Sequence, residues 1–175
     1  MRYLFYFFLF LGSSKLMYGT LKPNTKEKIK SIEREKKLWE TIKGKPVKNQ
    51  VQLGMLTHHI TTAEANFEHN WLHDYIAVFY KGFFAGTMLN SRYRRSYVLG
   101  VSRDFYEYDL GNQNRFALSY NLGGITGYDE KTLDIAKYTP VLPIFSINAS
   151  HHYKRMGLVA GWSVFVVYLS TSFTF

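Results

Sequence analysis

Residues 82–102 read GFFAGTMLNSRYRRSYVLGVS, two alternating apolar runs joined by a polar, cationic tip that begins at Asn90 and Ser91. Successive side chains of a β-strand point to opposite faces. In the first run Phe83, Ala85, Thr87 and Leu89 therefore share one face, and Phe84, Gly86, Met88 and Asn90 the other. In the second, Tyr97, Leu99 and Val101 oppose Val98, Gly100 and Ser102. The pattern predicts an up-down hairpin. Both faces are largely apolar, which fits a wall between lipid and an apolar interior better than one between lipid and water.

The remainder of the chain supplies more strands of similar size. Residues 51–60, 71–81, 115–127, 139–152, 156–163 and 164–175 join the two strands of the hairpin, about eight in all, the number found in the smallest outer-membrane barrels. No tight turn separates the seventh from the eighth within residues 157–175. The terminal VFVVYLSTSFTF is informative about environment: Phe165, Val167, Leu169, Thr171, Phe173 and Phe175 form a mostly apolar face, and Tyr168, Ser170, Ser172 and Thr174 a polar one. Its terminal Phe, with aromatic and aliphatic residues two apart, resembles the signal read by the assembly machinery of bacterial outer-membrane barrels. The expected fold class is all-β, an eight-stranded antiparallel transmembrane β-barrel preceded by an amphipathic helix.

Composition agrees. The 175 residues suit one domain, and the aromatic share of 18% is high in residues that strands and membrane interfaces favour. A mean hydropathy of -0.19 is too polar for a bundle of membrane helices. Beyond the first residues no apolar run approaches the roughly 20 that a spanning helix needs. Cysteine is absent, so no disulfide is expected. The formal net charge of +9 suits nucleic acid or an anionic membrane surface, and without a nucleic-acid motif the membrane is the expected partner.

Residues 1–19 carry Arg2, a short apolar run and then small and polar residues, the layout of a cleaved secretory signal. Residues 20–48 form a helix and linker: in NTKEKIKSIEREKKLWETIK, residues 24–43, Ile29, Ile32, Leu38, Trp39 and Ile42 recur at helical spacing among lysines and glutamates. Such a helix suits a membrane interface, or a solvated position against the barrel end. Residues 49–175 are assigned to the barrel.

Three places carry candidate chemistry. His58 and His59 end the first strand, in LTHHI. Asn90 and Ser91 end an upward strand two places along, so both pairs fall at one rim. There an imidazole is suited to take a proton, a carboxamide to orient it, and a hydroxyl to donate or attack. The bland reading is interfacial histidines and an Asn-Ser pair that starts a turn. Pro140 and Pro143, in TPVLPIFSI, each delete a ladder donor. They mark either a lateral gap for a lipid tail or a strand that starts outside the hydrocarbon.

In layout, signal, amphipathic helix and small barrel, the chain resembles the PagP family, the outer-membrane lipid A palmitoyltransferases. GFFAGTMLNSRYRRSYVLGVS resembles the family's strand-loop-strand with an Asp-Ser pair, Asn90 and Ser91 standing at those positions. LTHHI resembles the strand bearing the essential histidine, and YTPVLPIFSI the proline-containing strand. The similarity covers most of residues 20–175 through short local motifs. It implies acyl transfer from a phospholipid donor to lipid A or a related glycolipid in the bacterial outer membrane, with no metal and no cofactor. His59, or His58 if the strand shifts by one, would be the base, and Ser91 would assist. Arg92, Arg94 and Arg95 would hold lipid phosphates, or simply make a cationic loop. Gly100 and Ser102 would line the acyl-chain site, Ser102 at the floor where the family has glycine, so a chain shorter than palmitoyl is expected. The chain departs from the family in Asn90 for aspartate, for which Asp74 or Glu68 are candidate substitutes, and in Tyr128 for an arginine. Two other functions fit the residues: a lipid esterase, or a non-enzymatic barrel binding ligands or partners through residues 61–70 and 129–137. A charged lumen would favour the non-enzymatic reading, and an uncharged one the enzyme.

Overall fold

The computed structural model describes residues 25–60, 70–129, 134–164 and 166–175. The chain divides after Trp39 into two compact units. Helix α1, Thr25–Lys43, makes up the described part of the first and runs four residues into the second. Its Ile29, Ile32, Leu38, Trp39 and Ile42 are all exposed. Gly44 ends it with φ +61°, the left-handed conformation that glycine adopts without strain after a helix.

Eight antiparallel strands follow: β1 Gln50–His59, β2 Leu72–Tyr80, β3 Phe83–Leu89, β4 Arg95–Gly111, β5 Asn114–Ile125, β6 Leu142–Tyr153, β7 Met156–Ser163 and β8 Val166–Thr174. Each pairs with the next, and β8 pairs back onto β1 from Gln50↔Thr174 to His59↔Val166, which closes the barrel and leaves no free edge along those strands. Lys45 and Pro46 add a short pairing to β4 at Asp104 and Arg103.

The two rims differ. One carries the tight turns at 81–82, 112–113 and 154–155, and both ends of the barrel chain. Lys81 and Gly82 (φ +51° and +81°) make a two-residue turn with positive φ at both positions, whose twist matches that of the strands it joins. The other rim carries the connections 60–71, 90–94 and 126–141 and the two-residue connection 164–165. We call these the turn rim and the loop rim.

Strand alternation sorts side chains as the hairpin pattern predicts. Phe84, Met88, Asn90, Val98 and Ser102 are buried and Gly86 and Gly100 half-buried on the lumen face, with Phe83, Tyr97 and Leu99 exposed outside. In β8, Ser170 and Ser172 are buried while Val167, Leu169 and Phe173 are exposed. Two bulges then shift the alternation. The first is at Gly54, φ +63°, where the β1 register slips between Leu53 and Met55. Gln50 and Gln52 face inward before it, and Met55, Thr57 and His59 after it. The second lies between Asp104 and Tyr106 in β4 and keeps Asp104 and Glu107 on one face.

An apolar cluster of Tyr75, Ala77, Phe79, Phe84, Met88, Val98, Ile125 and Leu142 fills one sector of the lumen, with the Phe79 and Phe84 rings stacked 5.3 Å apart. Burying a Val, Leu, Ile, Phe or Met side chain of this cluster stabilises by about 1.5–3 kcal/mol. The remaining lumen is polar. Arg115 meets Asp104 at 3.4 Å and Glu107 at 3.2 Å, and Lys48 meets Glu107 at 3.3 Å. His152 Nε2 meets Gln50 Oε1 at 3.2 Å and Ser172 Oγ at 2.9 Å, and Tyr168 donates to Asn148. Gly157 and Gly161 of β7 make room for this layer: a Cβ on Gly157 would fall 2.4 Å from the His152 ring, and one on Gly161 2.2 Å from the Tyr168 ring.

Several boundaries differ from the sequence reading. β4 runs to Gly111 rather than ending near Ser102, because Asp104 and Glu107, which read in sequence as part of a loop, pair with Arg115. β6 starts at Leu142 rather than at Thr139, since Thr139–Val141 form a local bend in which the Thr139 hydroxyl accepts from Val141 N. The uncharged lumen expected from the hairpin holds for one sector only. Residues 1–24, and with them the expected signal, lie outside the described residues, as do most of 61–70 and part of 129–137.

Candidate functional site at the loop rim

The Gly54 bulge decides between the two histidines that end β1. It puts His59 on the lumen face, half-buried, and leaves His58 exposed outside opposite Val167. Without the extra residue the parity would reverse and His58 would enter the lumen.

Asn90 is fully buried, and its carboxamide is saturated. Its Oδ1 accepts from the backbone N–H of Arg92 (2.8 Å) and Arg94 (3.1 Å), and its Nδ2 donates to Ser96 Oγ and to the Gly127 carbonyl, both at 3.0 Å. This is an Asx-type turn tied to the 126–141 connection. An aspartate could keep the two accepted bonds and could not donate to Gly127. Ser91 is buried beside it, and its side chain hydrogen-bonds with that of Tyr128. Burial pushes the Tyr128 phenol above its ordinary pKa, and the Ser91 hydrogen bond and the Arg92 charge act the other way.

The three arginines serve different ends. Arg94 pairs with Asp129, and Arg95 pairs with Asp74 at 2.7 Å. Arg92 is half-buried and tied to Asn90 through its backbone N–H. Asp74 is exposed on the outer face, where it also accepts from Leu89 N, so it does not stand in for a lumen carboxylate. Glu68 lies outside the described residues.

Ser102 is buried at the lower edge of the apolar sector, paired in register with Asn121 and followed on the same face by Asp104. Gly100, one step above it, allows β4 and β5 to approach closely, since a Cβ there would fall 2.2 Å from the Leu122 carbonyl oxygen and 2.7 Å from the Phe84 ring. Pro140 precedes β6 in an exposed bend, and Pro143 sits within the strand opposite Gly124. The β6–β7 ladder reaches only Ile147↔Trp162, so Leu142–Ser146 lack ladder partners on that side.

One lumen residue escaped the sequence reading. His73 of β2 is buried on the face that continues through Tyr75, Ala77 and Phe79. Its Nδ1 lies 2.5 Å from the Leu89 carbonyl and its Nε2 2.8 Å from Thr57 Oγ1. The strict alternation of HDYIAVFY, residues 73–80, was the available signal. The loop rim thus gathers His59, Thr57 and His73 on β1 and β2, and Asn90, Ser91 and Tyr128 across the neighbouring turn. Among the described residues no group of three or more His, Cys, Asp or Glu side chains could hold a metal ion.

A cleft of about 510 Å³ opens at the opposite rim, lined by Pro46, Val47, Lys48, Lys81, Arg155 and Phe175. Its lining holds no histidine and no carboxylate side chain. The chain matches no protein-family model and no curated protein.

Proposed function

We propose that this chain is an outer-membrane β-barrel that transfers an acyl chain from a phospholipid to lipid A or a related glycolipid. The observation that carries the reading is the divided lumen: an apolar sector formed mainly by β2, β3 and β4 and completed by Ile125 and Leu142, with Ser102 buried on the same β4 face and hydroxyl and imidazole groups at the loop rim. An apolar lining is the surface a hydrocarbon chain prefers once these side chains part to admit it, and its ester end would then lie among groups able to move a proton.

Membrane insertion is supported by the outer surface. Leu53, Leu56, Ile76, Val78, Leu99, Leu122, Leu158 and Leu169 are exposed there, a band far larger than a soluble surface ordinarily leaves in water. Aromatic residues flank the band: Tyr80, Phe83, Tyr106 and Tyr153 toward the turn rim, Trp71, Tyr97 and Trp162 toward the loop rim. All three turns at one rim are short, and three of the four connections at the other are longer, which suits outer-membrane barrels, whose long loops face outward. Along Leu142–Ser146 the β6 flank has no β7 ladder partner and is held there by the Ser163 hydroxyl on the Phe145 carbonyl at 2.8 Å, a thin seam that supports lateral entry of a lipid tail.

A second reading, the non-enzymatic barrel, draws on the paired Asp104–Arg115–Glu107 cluster, the kind of charged filling that small structural barrels use. One experiment separates the readings. The refolded chain in vesicles of phospholipid and lipid A is followed by mass spectrometry, with His59→Ala and Ser91→Ala beside it. Acylated lipid A with matching lysophospholipid, reduced by either substitution, is expected. Lysophospholipid with free fatty acid and unmodified lipid A would mean an esterase. No product from a folded barrel would remove the enzymatic reading and favour the loops.

A further inference from the structure

Burying an imidazole in an apolar wall leaves two nitrogens that each need a partner. His73 has both, and the partners differ in kind. The Leu89 carbonyl can only accept, so Nδ1 carries the proton and donates to it. Nε2 is then the bare acceptor, and the Thr57 hydroxyl donates to it across 2.8 Å. Asn70 Nδ2 shares the same carbonyl at 3.4 Å and helps to fix it. A hydroxyl donating to a neutral imidazole whose far nitrogen is anchored on an acceptor is the arrangement that activates an oxygen nucleophile. Barrel closure does not require it: the β1–β2 seam at this height already has the Thr57 N to Trp71 carbonyl bond. Thr57 is only half-buried, and Met55, Tyr75 and Met88 of the apolar sector lie next along the same wall. Ser91, by contrast, shares its hydrogen bond with a phenol rather than an imidazole.

We propose that Thr57 and His73 form a nucleophile-base pair through which the acyl chain passes as a threonyl ester. The inference rests on the acyl-transfer reading for its substrate. Thr57 Oγ1 attacks the ester carbonyl carbon of the phospholipid while its proton moves to His73 Nε2. The tetrahedral intermediate collapses, the C–O bond to glycerol breaks, and the departing oxygen takes the proton from Nε2 and leaves as lysophospholipid. An acceptor hydroxyl then attacks the threonyl ester, passing its proton to Nε2. When the bond to Oγ1 breaks, Thr57 takes that proton back and the pair is restored.

The test uses the full chain refolded in phospholipid vesicles, with 4-nitrophenyl octanoate as an activated acyl probe and intact-protein mass after acid quench. The wild type is expected to release a burst of about one equivalent of nitrophenol and to carry an octanoyl adduct on the peptide containing Thr57. Thr57→Val, which keeps the side-chain shape, and His73→Asn, which keeps an N–H donor for the Leu89 carbonyl, are expected to lose burst and adduct. Their phospholipid turnover should fall about 100-fold or more. Thr57→Ser is expected to restore both signals. A folded Thr57→Val that keeps turnover or adduct overturns the pair and leaves acyl transfer standing. An adduct on Thr57 in a wild type that yields no lysophospholipid keeps the pair and overturns the phospholipid reading. Neither adduct nor turnover in the wild type overturns both.

Discussion

The wall from β2 to the loop-rim half of β4 and the wall from β5 round to β8 enclose the same lumen, yet they fill it differently. The first presents Tyr75, Ala77, Phe79, Phe84, Met88 and Val98, none of which seeks a charge partner. The second presents Arg115, Asn148, His152, Tyr168 and Ser172, bonded to one another and to Asp104 and Gln50. The polar groups of the second wall are largely paired inside the barrel, with Asp104 and Gln50 completing the set. The first ends at a rim of hydroxyl and imidazole groups. One sector is thus filled by paired polar groups and the other by packed apolar side chains. Ser102 marks the boundary between them.

The strongest way to break this contrast is Arg115→Met. It leaves Asp104 buried without its cation and should cost about 3–5 kcal/mol, read as a lower midpoint for urea unfolding of the refolded barrel. A loss below about 1 kcal/mol would mean that the polar wall is not what closes the lumen. Asn90→Ala comes next at about 1–3 kcal/mol, since it strips partners from two backbone donors and the Gly127 carbonyl. Asn90→Asp should cost less than Asn90→Ala, because only the donated bonds are lost. Equal costs would show that the accepted bonds do not hold the turn.

Gly54→Val sharpens the contrast at the histidines. A side chain at φ +63° costs about 1–2 kcal/mol, and the strain favours removal of the bulge. Reaction with diethyl pyrocarbonate should then shift, with His58 becoming protected relative to His59. Unchanged protection would mean that some other feature sets the β1 parity. The smallest effect is expected for His58→Ala, which should change stability by no more than about 0.5 kcal/mol and leave acyl transfer intact. Loss of activity there would return the base to the outer face.

The hairpin at 82–102 and the last strand were legible because each has one repeating contrast per face, and a period of two survives any uncertainty about where the strand begins. β4 beyond Ser102 was not, since Asp104 and Glu107 read as solvated until Arg115 is known to pair with both. The choice between His58 and His59 turns on a single glycine in a left-handed conformation, and Gly54 in sequence looks like any glycine in a strand. Asn90 was legible as a position and ambiguous as a role, because the carboxamide that would orient a histidine is the same group that caps a turn. His73 was passed over because a lone histidine in an alternating run carries no mark of the carbonyl and hydroxyl that the fold brings to its two nitrogens.

The most direct measurement is mass spectrometry of lipid A from outer membranes that contain the folded wild type or Ser102→Gly. If the apolar sector above Ser102 holds the acyl chain, wild-type lipid A gains the mass of one chain shorter than palmitoyl, and opening the floor shifts the gain to longer chains. Lipid A identical to that of control membranes, with the barrel folded in place, would contradict the account.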